Sequence, residues 1–240
     1  MESKRKAERL WAEGPVFLQA ETAKLTTDTV LLADFAEIGR AERGIDLGCA
    51  SGALMLLLLW REERLRMTGV ELQEEAARLA KENLRLNGLE ERGKILCGDL
   101  RENIPSLVNV SFDFVIANPP YFTETGGLMP PEEGRAAARG ETQCTLEELC
   151  GRAARLCRCG GKLFLSYRPE RLNELMRQCC RVHLEPKRMR LVHHRPSTEA
   201  SIVLLEARKD GKPGLRIEAP LILHDGEGNE TVEYRRIYHR

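Results

Sequence analysis

Between residues 44 and 117 the chain alternates short apolar runs with helical patterns, and this alternation restricts its fold more than any other feature. Residues 44–47, 66–71, 94–99 and 112–117 read as strands. Residues 53–63 form a nearly all-apolar helix. Residues 74–87 form an amphipathic one, stopped by Asn87-Gly88. Strands that return in the same direction need a helical crossover, so the pattern predicts an α/β fold with helices on both faces of a mostly parallel sheet. Thr145 and Glu148 predict a capping box for a helix to Cys157, ended by Gly160-Gly161. A fifth strand follows at 162–167 and a helix at 169–181. Residues 187–193 and 200–207 then read as consecutive strands without a helix between them, which predicts an antiparallel edge on a seven-stranded sheet.

Upstream, residues 1–13 read as a frayed helix broken by Gly14-Pro15. Val16–Gln19 reads as a short strand or turn arm, and Asp28 as the N-cap of a helix that ends near Gly39. With 240 residues, 42% of them hydrophobic, the chain reads as one domain. Residues 1–43 are expected to form a helical N-terminal segment, 44–208 the α/β core, and 209–240 a basic extension. The 37 basic and 37 acidic residues cancel, so whole-chain charge points to no polyanionic partner.

The eight cysteines fit a reducing compartment. Cys144, Cys150, Cys157 and Cys159 are spaced six, seven and two apart. They lack the C-x-x-C pairs of zinc sites and read as packing residues, so no metal is expected. The start of the chain has no apolar signal core, and the run 53–60 is far short of a membrane span. A cytoplasmic protein is expected, monomeric by default, with no membrane partner.

Chemistry gathers at the strand ends. Asp46-Leu47-Gly48-Cys49-Ala50-Ser51-Gly52 joins a strand to a helix, and its glycines allow a sharp turn close to a ligand. The spacing D-x-G-x-x-x-G is not the G-x-G-x-x-G of dinucleotide sites. Glu71 ends the next strand, suited to the two hydroxyls of a ribose. Asp99 ends the third, where an adenine amino group has an acceptor. The fourth strand has five apolar residues in six and stops at Asn118-Pro119-Pro120-Tyr121-Phe122. Neither proline can donate to a sheet ladder, so a stiff loop with free carbonyls is expected at the sheet's ligand-binding edge.

In this order the motifs resemble the class I S-adenosylmethionine-dependent methyltransferases, whose fold is Rossmann-like. The resemblance implies that Asp46, Gly48 and Gly52 belong to the first cofactor motif, Glu71 to the ribose site and Asp99 to the adenine site. It also implies that residues 24–29, Thr27 among them, fold over the methionine end, with Asn118 at the boundary of both substrates. Members that carry Asn-Pro-Pro-Tyr methylate planar amino nitrogens: adenine N6, cytosine N4 or a glutamine amide. Such a nitrogen is a poor nucleophile because its lone pair is delocalised. The Asn118 side-chain oxygen and the Pro119 carbonyl each accept one N–H and favour the positive charge that develops on attack. Tyr121, with Phe122 behind it, offers a stacking face worth about 1–3 kcal/mol per base.

Three features lean toward RNA. Residues 168–195 carry eight Lys/Arg against three Asp/Glu, with three of the five histidines. Arg139-Gly140-Glu141 lies in the loop after the Asn118 strand. The chain ends in Tyr234-Arg235-Arg236-Ile237-Tyr238-His239-Arg240, basic residues interleaved with aromatics. Residues 26–33, Asn118–Phe122, Ala138–Glu141, Lys212–Leu215 and Ala219–Leu221 are similar to the bacterial tRNA1(Val) adenine-37 N6-methyltransferases, with a more cysteine-rich helix after Thr145. That resemblance implies tRNA as partner; Arg139, by its place in the loop, and Tyr121 and Phe122, by their ring faces, are expected on the substrate side. The rival expectations are another amino-directed RNA or DNA methyltransferase, a cofactor-binding RNA chaperone that has lost transfer, against which the intact Asn118 argues, and, chief among them, glutamine methylation of a release factor. Enzymes of that type carry a helical domain before the glycine motif, and the 45 residues ahead of Asp46 are too few for it.

Overall fold

The computed structural model describes residues 6–20, 25–102, 104–119 and 144–240. Strands β1 (Lys6–Arg9) and β2 (Val16–Gln19) precede helix α1 (Thr27–Phe35). The alternating core follows as β3 (Arg43–Leu47), α2 (Ala53–Arg61), β4 (Arg66–Glu71), α3 (Glu74–Leu86), β5 (Gly93–Cys97) and β6 (Phe112–Ala117). Next come α4 (Leu146–Leu156), β7 (Cys157–Tyr167), α5 (Leu172–Arg181), β8 (Leu184–His193) and β9 (Ala200–Lys209). Short β10 (Arg216–Ile217) and β11 (Leu221–Ile222) lead to α6 (Val232–Ile237).

The seven expected strands lie in the order β8-β9-β7-β6-β3-β4-β5, and β10 and β11 both pair with β8, making nine in all. β3 to β7 run parallel, and β9 is antiparallel to both neighbours. Strand alternation divides the core. Phe114, Ile116 and Phe164 point to the layer of α1, α2, α3 and α6. Val115, Ala117, Leu165 and Tyr167 point to the layer of α4 and α5. Helix α2 is apolar nearly all round because it packs against the sheet below and α1 and α3 beside it.

Four expectations need correction. Residues 6–19 form a hairpin, not a frayed helix, so the 1–43 segment is only partly helical. Thr26, not Asp28, caps α1: its hydroxyl accepts from the Thr29 amide, and Asp28 sits in the first turn, where its charge complements the helix dipole. That helix stops at Phe35 rather than near Gly39. Helix α4 ends at Leu156, because Cys157 already pairs with Phe112 and the Arg158 side chain reaches Asp113 at 2.7 Å. Gly160-Gly161 lies inside β7, where a Cβ at Gly161 would stand 2.8 Å from the Asp113 carbonyl oxygen. The expected capping box is present at Thr145 and Glu148.

The basic segments are mostly neutralised within the fold. Arg188 is buried over the Phe35 ring and bonds Glu37, Glu206, Glu218 and the Phe35 carbonyl. Arg190 forms a two-pronged pair with Glu233, both bonds 2.8 Å. The C-terminal run is helix α6 docked on α1, with Arg236 on Asp34 and Arg240 on Glu230, rather than a projecting arm. Arg177, His194 and Arg195 remain exposed. Among the described residues no helix is long and apolar enough to cross a membrane, and no group of three or more His, Cys, Asp or Glu side chains is placed to hold a metal ion. Cys150, Cys157 and Cys179 are buried in the second core layer.

Candidate active site

The C-terminal ends of β3, β4, β5 and β6 converge on one edge of the sheet, because those strands are parallel. After β3 the chain turns through Gly48 (φ +81°), Ala50 (φ +46°) and Gly52 (φ +78°) into α2. The left-handed geometry at Gly48 and Gly52 is strained for any residue with a Cβ. At Gly52 a Cβ would also stand 3.1 Å from that of Ala80 on α3. The turn is tied to β4: the Gly48 and Cys49 amides donate to the Val70 carbonyl at 2.9 and 3.0 Å.

Glu71 is 9% exposed and its two oxygens accept from the Ala50 and Gln73 amides, each at 2.8 Å. Those bonds aim the carboxylate across the turn and leave further lone pairs for hydroxyl donors. Asp46 is 1% exposed, and its Oδ2 has no hydrogen-bond partner. Burial, reinforced by the neighbouring Glu71 charge, pushes its carboxyl up to about 8. An orphaned carboxyl oxygen beside a second carboxylate, under a turn with left-handed glycines at 48 and 52, suits a cationic ligand bearing a vicinal diol. S-adenosylmethionine is such a molecule, so the residues present fit it. Asp99 is committed to Arg101, which grips both its oxygens and holds its carboxyl below the usual range. An adenine amino group there would share that carboxylate with Arg101.

Asn118 follows β6 on the same edge. Ala117 pairs with Leu165 in the parallel β6–β7 ladder, so the next two residues, Asn118 and Ser166, lie side by side. Alternation turns both toward the α1 layer. There Asn118 Nδ2 donates to Thr29 Oγ1 at 2.9 Å, and Ser166 Oγ donates to Asn118 Oδ1. Thr29 Oγ1 is 3.0 Å from Thr26 Oγ1. Pro119 is buried beside Asn118. Thr27 lies in the first turn of α1, and its hydroxyl bonds Tyr238, so its side chain faces the C-terminal helix. Tyr121, Phe122 and Arg139 lie outside the described residues.

Sequence reasoning missed Ser166 and Asn83, and the contact that brings Thr29, within the expected 24–29 covering segment, onto Asn118. Thr29 and Ser166 touch Asn118 but belong to segments far from it in the chain. Asn83, fully buried on α3, exchanges two hydrogen bonds with Leu18 of β2 (2.6 and 2.9 Å) and donates a third to the Ser51 carbonyl in the glycine turn (2.9 Å). Asn87 repeats the exchange with Val16 at 2.8 and 2.7 Å. One helical turn and two strand residues both advance about 6 Å, so two asparagines four apart serve as an edge partner for β2. An asparagine pair four apart on an amphipathic helix was the available signal.

The matching family model is the methyltransferase small domain, over residues 9–129. A tRNA1(Val) (adenine(37)-N6)-methyltransferase of Porphyromonas gingivalis is 30% identical over 225 residues, covering 89% of this chain and 86% of that one. The Haemophilus influenzae protein of the same name is 34% identical over 134 residues, 55% of this chain and 56% of its own. Among solved structures, a predicted O-methyltransferase from Agrobacterium tumefaciens superposes with a TM-score of 0.70 at 26% identity, covering 89% of this chain and 96% of that one. The Pyrococcus horikoshii TYW2 complex with MeSAdo, at 13% identity and a TM-score of 0.60, shares the fold over 88% of this chain and 73% of its own. With its glycine turn, strand-end acids and Asn118 on one sheet edge, the chain belongs to the tRNA1(Val) (adenine(37)-N6)-methyltransferase family of small-domain methyltransferases.

Proposed function

We propose that the protein transfers a methyl group from S-adenosylmethionine to the N6 amino group of adenine 37 in tRNA1(Val). The observation that carries this reading is Asn118, held at the end of β6 by hydrogen bonds to both ends of its side-chain amide. Glu71 binds the ribose hydroxyls, the Gly48–Gly52 turn admits the methionine end, and Asp46 faces it with the potential for negative charge. Bound there, the cofactor supplies a sulfonium methyl as electrophile.

On the acceptor side Asn118 Oδ1 has two lone pairs, one of them taken by Ser166. The other accepts an N–H of the substrate amine, and the Pro119 carbonyl accepts the second. With both N–H bonds directed at acceptors, the nitrogen lone pair faces the methyl group, and the charge formed on attack meets two fixed dipoles. The methylated nitrogen then loses a proton readily, so the step needs no strong base. A stacked adenine must leave the anticodon loop to reach Asn118, and Tyr121 and Phe122 are proposed to stack on it.

The choice of tRNA rests on the family, because most of the basic groups of residues 168–195 and of the C-terminus are paired internally. Incubation with radiolabelled S-adenosylmethionine tests it. Label in N6-methyladenosine from bulk tRNA is the expected result. Label in release-factor glutamine alone would replace adenine by an amide as the acceptor.

A further inference from the structure

Two side chains fix the ends of the Asn118 amide, and Ser166 comes from β7, which the proposed chemistry does not otherwise use. Ser166 is fully buried in β7, and among the described residues its hydroxyl has Asn118 Oδ1 as its hydrogen-bond partner. A buried hydroxyl that finds no acceptor for its proton is costly. If the amide were flipped, its NH2 would face Ser166 and leave that proton without an acceptor. The oxygen is therefore the end that faces Ser166. At the other end Thr29 Oγ1 accepts from Nδ2 and lies 3.0 Å from Thr26 Oγ1. The result is a run of donors pointing one way, Ser166 to Asn118 to Thr29, in which one bond polarises the next.

We infer that Ser166 and Thr29 are positioning residues for methyl transfer: they set which end of the Asn118 amide the substrate meets. The inference rests on the proposed role of Asn118. An acceptor is needed at the amine and a donor there is repulsive, so a flipped amide is an inactive one. Thr29 lies on α1, the element expected to cover the cofactor. The amide is therefore in register only when α1 is seated, which couples the cofactor side of the crevice to the methyl-acceptor side.

The test compares Ser166→Ala, Thr29→Val and Thr29→Ser as full-length proteins. Ser166→Ala and Thr29→Val are expected to lower kcat about ten- to a hundredfold. Their dissociation constants for S-adenosylhomocysteine, read by calorimetry, should stay within about twofold of wild type, less than 0.5 kcal/mol by the affinity arithmetic. Thr29→Ser restores the rate because it keeps the hydroxyl. In an Asn118→Ala background the same substitutions should change the residual rate less than about twofold, the non-additivity expected of one unit. Side-chain amide NMR of the wild-type protein gives a second reading that needs no variant to fold well: slow solvent exchange of the Asn118 NH2, held by Thr29, is expected, and exchange as fast as that of an exposed asparagine would overturn the inference. Wild-type kcat in both Ser166→Ala and Thr29→Val, with Asn118→Ala inactive, overturns the inference alone. Wild-type turnover in Asn118→Ala overturns the role of Asn118 and the inference with it.

Discussion

Asp46 makes the stability of the cofactor-free protein depend on pH in a direction opposite to that of most carboxylates. Its carboxyl is buried without a partner for Oδ2 and is raised from 3.8 to about 8 by burial and then by Glu71. A raised folded-state value means that the folded protein holds a proton which the unfolded chain releases. The stabilisation is complete below pH 4, declines as pH rises, and is gone above about 8. One proton is worth about 1.4 kcal/mol per pH unit. Between pH 4 and pH 7 the wild-type protein therefore loses up to about 4 kcal/mol, an upper limit because a buried site relaxes around the charge. Asp46→Asn removes the titration. Urea unfolding of both proteins at pH 5, 6, 7 and 8 is the assay. The gap in unfolding free energy should move in favour of the variant by about 1 kcal/mol per pH unit. Parallel pH profiles would refute the assignment. The cofactor's positive charges favour the ionised carboxylate, so binding at pH 7 should release a proton, read by calorimetry in two buffers of different ionisation enthalpy.

Other perturbations test other parts of the structure. Glu71→Ala removes both amide contacts to the glycine turn and the ribose acceptor. It should weaken S-adenosylhomocysteine binding by at least about 2 kcal/mol, the scale for charged hydrogen bonds, and wild-type affinity by calorimetry would exclude the ribose role. Asn83→Ala strands the Leu18 backbone and the Ser51 carbonyl. A stability loss of about 2–4 kcal/mol is expected, with faster protease cleavage in residues 6–20. Arg188→Ala removes one of the two cations on the buried Glu206, leaving Lys162 at 3.1 Å, and should cost at most about 3–5 kcal/mol in urea unfolding; restored stability in Arg188→Met/Glu206→Leu would show that the pair specifies the edge more than it stabilises it.

The local signals that survived into the structure are those that tertiary contacts reinforce. The apolar strand Phe112–Ala117 ends where the prolines forbid continuation, and the Thr145–Glu148 box caps its helix from within one turn. The hairpin at residues 6–19 was illegible because its outer edge is satisfied by Asn83 and Asn87, more than 60 residues away. Gly160-Gly161 looked like a helix stop because the pairing of Cys157 with Phe112 cannot be seen in local pattern. Counting charges along residues 168–195 overstated their exposed positive charge, since Arg188 and Arg190 find carboxylates at positions 37, 206, 218 and 233. The positions of Asp46, Glu71, Asp99 and Asn118 at one edge of the sheet were readable because strand ends are local. Ser166 required the sheet register and Thr29 the packing of α1 on the strand ends.

The most direct measurement is single-turnover methyl transfer to tRNA1(Val) by wild-type protein and Asn118→Ala at matched saturation with S-adenosylmethionine. The account predicts N6-methyladenosine at position 37 with the wild-type protein. It predicts a rate at least about a hundredfold lower for the variant, the scale of losing one transition-state hydrogen bond, with cofactor affinity unchanged. Equal rates, or methyl label on any atom other than the adenine amino nitrogen, would contradict it.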